Sequence, residues 1–210
     1  MENTATLTQH SKSRYDVKYM VRLAVLVAIL LFLEATGLGM IKTPGLEFTI
    51  MQVPVIIGAI VMGPVAGGIL GATFGFIAFW ECFGRSAFGV VLLGIDPVFT
   101  FLVCVPTRAL MGLLCGVIFK GFHKVDRSNL WSFGAASLLG ALLNTALFMG
   151  ALVLFFYNTD YIQGFAQTLG VVNPIAFIAA FVGVQGVLEA IICTVAGAAV
   201  SKALFKSMNK

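Results

Sequence analysis

From about residue 20 onward apolar residues come in long blocks, interrupted only by short polar or glycine-proline stretches. The blocks at 20–40, 98–119, 131–157 and 174–203 match or exceed the ~20 residues an α-helix needs to cross the hydrocarbon of a bilayer. Two shorter apolar stretches, "IMQVPVIIGAIVM" and "VAGGILGATFGFIAFW", flank Gly63-Pro64. Proline removes a backbone donor and glycine-proline is a strong break, so two short or tilted helices are predicted at 50–62 and 65–80. Pro54 leaves room for irregular backbone there. The pattern predicts an all-α membrane protein of six transmembrane helices, with residues 1–210 forming one integral membrane domain and 1–19 a polar tail.

Composition strengthens this picture. Of the chain's residues 60% are hydrophobic and only 10% charged, against roughly 25% charged in soluble domains. The polar first eighteen residues, with no short apolar core and small-residue cleavage site after them, point to a retained first helix rather than a secretory signal. Cys82, Cys104, Cys115 and Cys193 lack metal-ligand spacing and read as small core residues.

The formal charge of +4 raises the question of nucleic acid. Its distribution answers it. Lys12, Arg14, Lys18, Arg22, Lys120, Lys124, Arg127, Lys202, Lys206 and Lys210 all fall on one side of a six-helix topology. By the positive-inside rule that side is cytoplasmic, with both termini. The basic excess orients the chain, and no nucleic-acid partner is expected. Residues 41–49, 81–97 and 158–173 then lie outside. "IKTPGLEFTIMQ" is partly alternating and reads as a short strand or extended loop. "ECFGRSAFGVVLLGID" reads as too apolar for a free loop and too broken for a helix, hence as an external fold-back covering a cavity.

Catalytic chemistry is not legible. His10 and His123 are the only histidines and stand far apart, so no metal or other cofactor is expected. There is no G-x-x-x-x-G-K-[ST], H-E-x-x-H or G-x-S-x-G. The chain reads as a non-enzyme. Polar residues inside the apolar blocks remain the main clue, because each is costly in hydrocarbon unless it meets a cavity or a partner. Asn144 and Thr145 lie mid-helix in "GALLNTALFMG"; Gln185 and Glu189, four apart, share one helix face; Arg108 lies mid-helix. Each has two readings, ligand contact or structural bond, with Arg108 and Glu189 also able to pair with one another. Arg85, in the apolar fold-back, suits either an anionic ligand or a lipid headgroup. Glu34, Glu47 and Glu81 are expected to be solvated at the outer interface. Gly67, Gly71 and Gly75 recur every four residues, as do Ala24 and Ala28, the small-xxx-small pattern of close helix packing.

"RLAVLVAIL", "VPVIIGAIVMGPVAGGILGATFGF" and "GALLNTALFMGALVLFF", in a small six-helix chain without an ATPase motif, make this protein resemble the substrate-binding S component of energy-coupling-factor (ECF) vitamin transporters. The resemblance covers essentially the whole chain. It implies a subunit in the bacterial cytoplasmic membrane that captures a vitamin from outside, under the loops joining helices 1–2, 3–4 and 5–6. It further implies association with a transmembrane coupling subunit and two cytosolic ATPases, and reorientation to release the vitamin inward. The alanine motif of that family falls on Ala24 and Ala28, which implies docking to the coupling subunit. The fifth-helix and glycine-rich segments look closest to the pantothenate type. Pantothenate, an anion with two hydroxyls and an amide, calls for a cation among Arg85, Arg108 and Lys42, and for polar groups such as Asn144, Thr145 and Gln185, with Arg108 able to neutralise Glu189. Riboflavin, walled by some of the 19 Phe, is the rival. Thiamine fits less well, because only two Trp are present to build an aromatic cage. Outside this family the alternatives are a membrane scaffold, whose polar residues only join helices, and a self-sufficient channel or carrier.

Overall fold

The computed structural model describes residues 2–43, 46–126, 131–171 and 173–208. In chain order it comprises α1 (Glu2–Thr36), β1 (Met40–Thr43), β2 (Leu46–Thr49), α2 (Gln52–Met62), α3 (Pro64–Glu81), α4 (Ala87–Ile95), α5 (Pro97–His123), α6 (Trp131–Phe156), α7 (Asp160–Thr168) and α8 (Pro174–Met208). Five helical stretches are long and apolar enough to cross a membrane: Val17–Thr36, Pro64–Glu81, Pro97–His123, Trp131–Phe156 and Gly186–Ser207. At 11 residues α2 falls short of a span by length. α1 begins far ahead of the apolar block, running helically through the polar tail.

The breaks follow from local chemistry. Gly63 sits at φ 98°, a left-handed region in which a Cβ is disfavoured, and ends α2; Pro64 then opens α3 at a position where no backbone donor is needed. Pro54 is harmless for the same reason, being in the first turn of α2. Asp96 caps α5, its Oδ1 accepting from the Val98 and Phe99 amides at 2.8 and 3.0 Å. Ser86 caps α4 through the Gly89 amide at 3.1 Å.

α4 is a correction to the reading of 81–97 as too broken for a helix. The serine cap and a nine-residue apolar run suffice once neighbours cover it: Leu92 is buried, and Phe88 packs with the rings of α7 and α8. The connection at 158–173 likewise folds into α7. The reading of "IKTPGLEFTIMQ" as extended matches an antiparallel hairpin in which Met40 pairs with Thr49 and Lys42 with Glu47. Pro44 and Gly45 lie outside the described residues.

α3 and α5 pack backbone to backbone. A Cβ on Gly71 would stand 2.1 Å from the Arg108 carbonyl oxygen, and one on Gly67 2.2 Å from that of Gly112. The glycine repeat therefore serves packing within this chain. Around this seam lie three apolar clusters: Leu30, Met51, Leu70, Phe74 and Met111 in the middle, Leu92, Val103, Leu152, Phe156 and Phe177 towards the end carrying α4 and α7, and Ile56, Ile60, Phe119 and Phe133 towards the other end. α1 joins only along one side, through Leu23, Leu26, Val27 and Leu30, and leaves Ala24, Ala28, Val21 and Val25 exposed.

Candidate functional site

The polar residues of the apolar blocks gather where α2, α5, α6 and α8 pack on one another. Arg108 is buried on α5, two residues after Pro106. An interior proline removes one backbone donor and crowds the preceding turn, and side chains that follow it bond back to carbonyls of that turn. The Thr107 hydroxyl donates to the Val103 carbonyl, and Arg108 Nη1 donates to that of Cys104 at 3.1 Å. The guanidinium carbon lies 4.8 Å from the ring centre of Phe74 on α3 and 5.0 Å from that of Phe148 on α6. Two aromatic faces and helix carbonyls thus hold a buried cation. Its Nε, buried as well, has no hydrogen-bond partner.

One turn along α6 from Phe148 stands Asn144, buried, with Oδ1 unpartnered. An unmatched acceptor here costs ~1–3 kcal/mol. Thr145 differs: its hydroxyl donates back to the Ala141 carbonyl of its own helix at 3.4 Å. Glu189 on α8 accepts from Gln52 Nε2 at 2.7 Å, and Gln52 Nε2 also lies 3.0 Å from Cys193 Sγ. Gln52 is fully buried, and its Oε1 has no partner. No ion pair joins Arg108 to Glu189 among the described residues. The expected structural pairing of Glu189 with Arg108 is not formed; Glu189 bonds Gln52 instead.

Gln52 escaped the sequence reading. Its signal was the one that exposed Asn144, a lone carboxamide in an apolar run, but its position at the start of a short helix resembles an interface residue. The side chain of Gln185 lies outside the described residues; its backbone follows the break in α8, where Gly183 adopts φ 40°, ψ −136°. Lys42 sits on β1, and its side chain is likewise outside the described residues.

Arg85 is not part of this buried group. It lies in the turn between α3 and α4, more than half exposed, with Nη1 2.6 Å from Glu34 Oε1 of α1. Glu34 is therefore an ion-pair partner, not merely solvated. Glu81, also expected in solvent, is only 4% exposed because the end of α3 is enclosed by the chain that follows it. At this end of the bundle Phe88 of α4 lies 5.8 Å from Tyr161 and 6.3 Å from Phe165 of α7, and 6.0 Å from Phe181 of α8. Burial pushes the Tyr161 phenol up from its ordinary value. All four cysteines are buried and free, and no cluster of potential metal ligands occurs among the described residues.

The buried group can thus offer one N–H donor on a cation and two carbonyl acceptors, beside the Glu189 carboxyl and the aromatic faces of Phe74 and Phe148. That is a recognition inventory for a small polar molecule, with no nucleophile and base in bonding contact in the buried group. No curated protein matches the sequence. Residues 18–200 match the family described as ECF transporter, substrate-specific component, and on that span the chain belongs to this family of multi-pass membrane transport subunits, whose partners are an ECF module and a vitamin-type ligand.

Proposed function

We propose that this chain is the pantothenate-capturing subunit of an ECF importer in a bacterial cytoplasmic membrane. The observation that carries the reading is that three of the buried polar atoms without partners fall in this group: Arg108 Nε, Asn144 Oδ1 and Gln52 Oε1. Each is costly as it stands, and together they ask for a ligand that presents an acceptor to a cation and donors to two carbonyls. Pantothenate meets that demand with a carboxylate, two hydroxyls and an amide N–H. Riboflavin could offer acceptors and donors but no negative charge to neutralise the guanidinium, and a cationic vitamin is opposed by it.

In this reading α2 and the β1–β2 hairpin together complete a sixth crossing, both termini face the cytoplasm, and α4, α7 and the hairpin lie over the binding layer from outside. Glu189 serves Gln52, Thr145 lines the neighbouring wall, and Arg85 and Gln185 stand on the path between the outside and the layer. The exposed alanine face of α1 docks on the coupling subunit, which brings the two ATPases. Ala24→Trp or Ala28→Trp should abolish assembly with the coupling subunit in a pull-down while leaving vitamin affinity unchanged; loss of both would place the alanines in internal packing instead.

The experiment that tests the ligand is titration of the purified protein with labelled pantothenate and, separately, riboflavin. Saturable pantothenate binding is expected. Tight riboflavin binding with none of pantothenate would overturn the assignment.

A further inference from the structure

Gln52 and Glu189 divide their work in a way that goes deeper than a shared contact. A carboxamide carries a donor end and an acceptor end that are almost equal in size, so a buried one reads a ligand only if something fixes which end faces it. The NH2 end of Gln52 faces α8, donating to Glu189 Oε1 at 2.7 Å, and the Cys193 sulfur at 3.0 Å lies at the same end. The opposite end, Oε1, is then held away from α8, fully buried and without a partner.

Position on the chain reinforces this. Gln52 is the first residue of α2, directly after Met51, which packs with Leu30, Phe74 and Met111. Val53 on its other side packs with Ile56, Cys115 and Cys193. The residue is clamped between two apolar clusters, and Phe74 of the first carries the Arg108 guanidinium on its face. A rigid mount, a fixed amide and an open acceptor are the ingredients of a specificity-determining group.

We propose that Glu189 is a positioning residue that locks the Gln52 carboxamide with its carbonyl turned towards the bound molecule, so that Gln52 Oε1 selects for a hydroxyl or amide N–H on the ligand. The inference rests on the reading of this layer as a vitamin site. It assigns different jobs to neighbouring carboxamides and acids: Gln52 touches the ligand, and Glu189 acts only through Gln52.

The test has two arms, one of which needs no ligand. In protein labelled with 15N-glutamine, the Gln52 side-chain amide is assigned by its loss in Gln52→Met, and its hydrogen exchange is measured in the wild type and in Glu189→Leu. The inference expects slow exchange in the wild type and a rise of about tenfold in the variant, the size of one buried hydrogen bond. Equal exchange in both would overturn it. In the second arm, pantothenate is compared with analogues that each lack one hydroxyl. The wild type should prefer pantothenate over one of them by about tenfold. In Glu189→Leu that preference should shrink towards parity while affinity for the same analogue stays put, with Glu189→Gln intermediate. Pantothenate and analogue weakening in parallel would mean a purely structural role and would overturn the proposal. Failure of the wild type to bind pantothenate would defeat the vitamin assignment alone, and the exchange arm would then decide the positioning.

Discussion

The α3–α5 seam and the polar layer between α2, α5, α6 and α8 share one helix and differ in nearly everything else. On its α3 side, α5 meets glycines so closely that Gly71 would carry a Cβ 2.1 Å from the Arg108 carbonyl. Nothing polar is left over there, because backbone groups are spent within the helices and the contact is van der Waals packing. Elsewhere the same residue presents its guanidinium to aromatic faces and leaves Nε unmatched, as Asn144 and Gln52 leave their carbonyls. The difference teaches how a small membrane protein separates rigidity from recognition. Backbone atoms of Arg108 are fixed by the seam, so the side chain can hold a costly, incompletely bonded state ready for a ligand.

Substitutions should break the two regions in different currencies. Gly71→Leu strikes the seam and carries the largest effect: the backbones must separate, and folded protein should be lost from size-exclusion profiles. Arg108→Met strikes the layer. It should weaken ligand binding by about a hundredfold, as for a desolvated charge contact, while the melting temperature holds or rises because an unpaired buried cation is removed. A fall in melting temperature as large as that of a seam variant would erase the distinction drawn here. Asn144→Ala should cost about tenfold in affinity with little change in stability, since its carbonyl gives up no bond in the free protein. Glu34→Gln, at the outer rim, should shift stability by at most about 1 kcal/mol, because its partner Arg85 is largely exposed and solvent screens the pair.

Much of this layer was legible in the sequence for one physical reason: hydrocarbon makes isolated polar residues conspicuous. Asn144, Arg108 and Glu189 stood out in apolar blocks; the first two are buried, and Glu189, half-buried, bonds the buried Gln52. The same rule says less about residues whose surroundings depend on local bonding or tertiary enclosure. Thr145 had two readings, and its hydroxyl bonds its own helix at Ala141, a choice open to any threonine and invisible in spacing. Glu81 and Glu34 looked solvated because they fall at block ends, where depth depends on tertiary enclosure. Gly63-Pro64 marked a real break, since its effect is purely local. α4 was missed because a nine-residue, glycine-containing helix is stabilised by Phe88 and Leu92 meeting residues far along the chain, not by its own periodicity.

The most direct measurement of the central claim is mass spectrometry of the small molecule that copurifies with the wild type and with Arg108→Met. The account predicts pantothenate on the wild type and its absence from the folded variant. A flavin or a cationic vitamin on the wild type, or the same acid retained at equal occupancy by Arg108→Met, would contradict it.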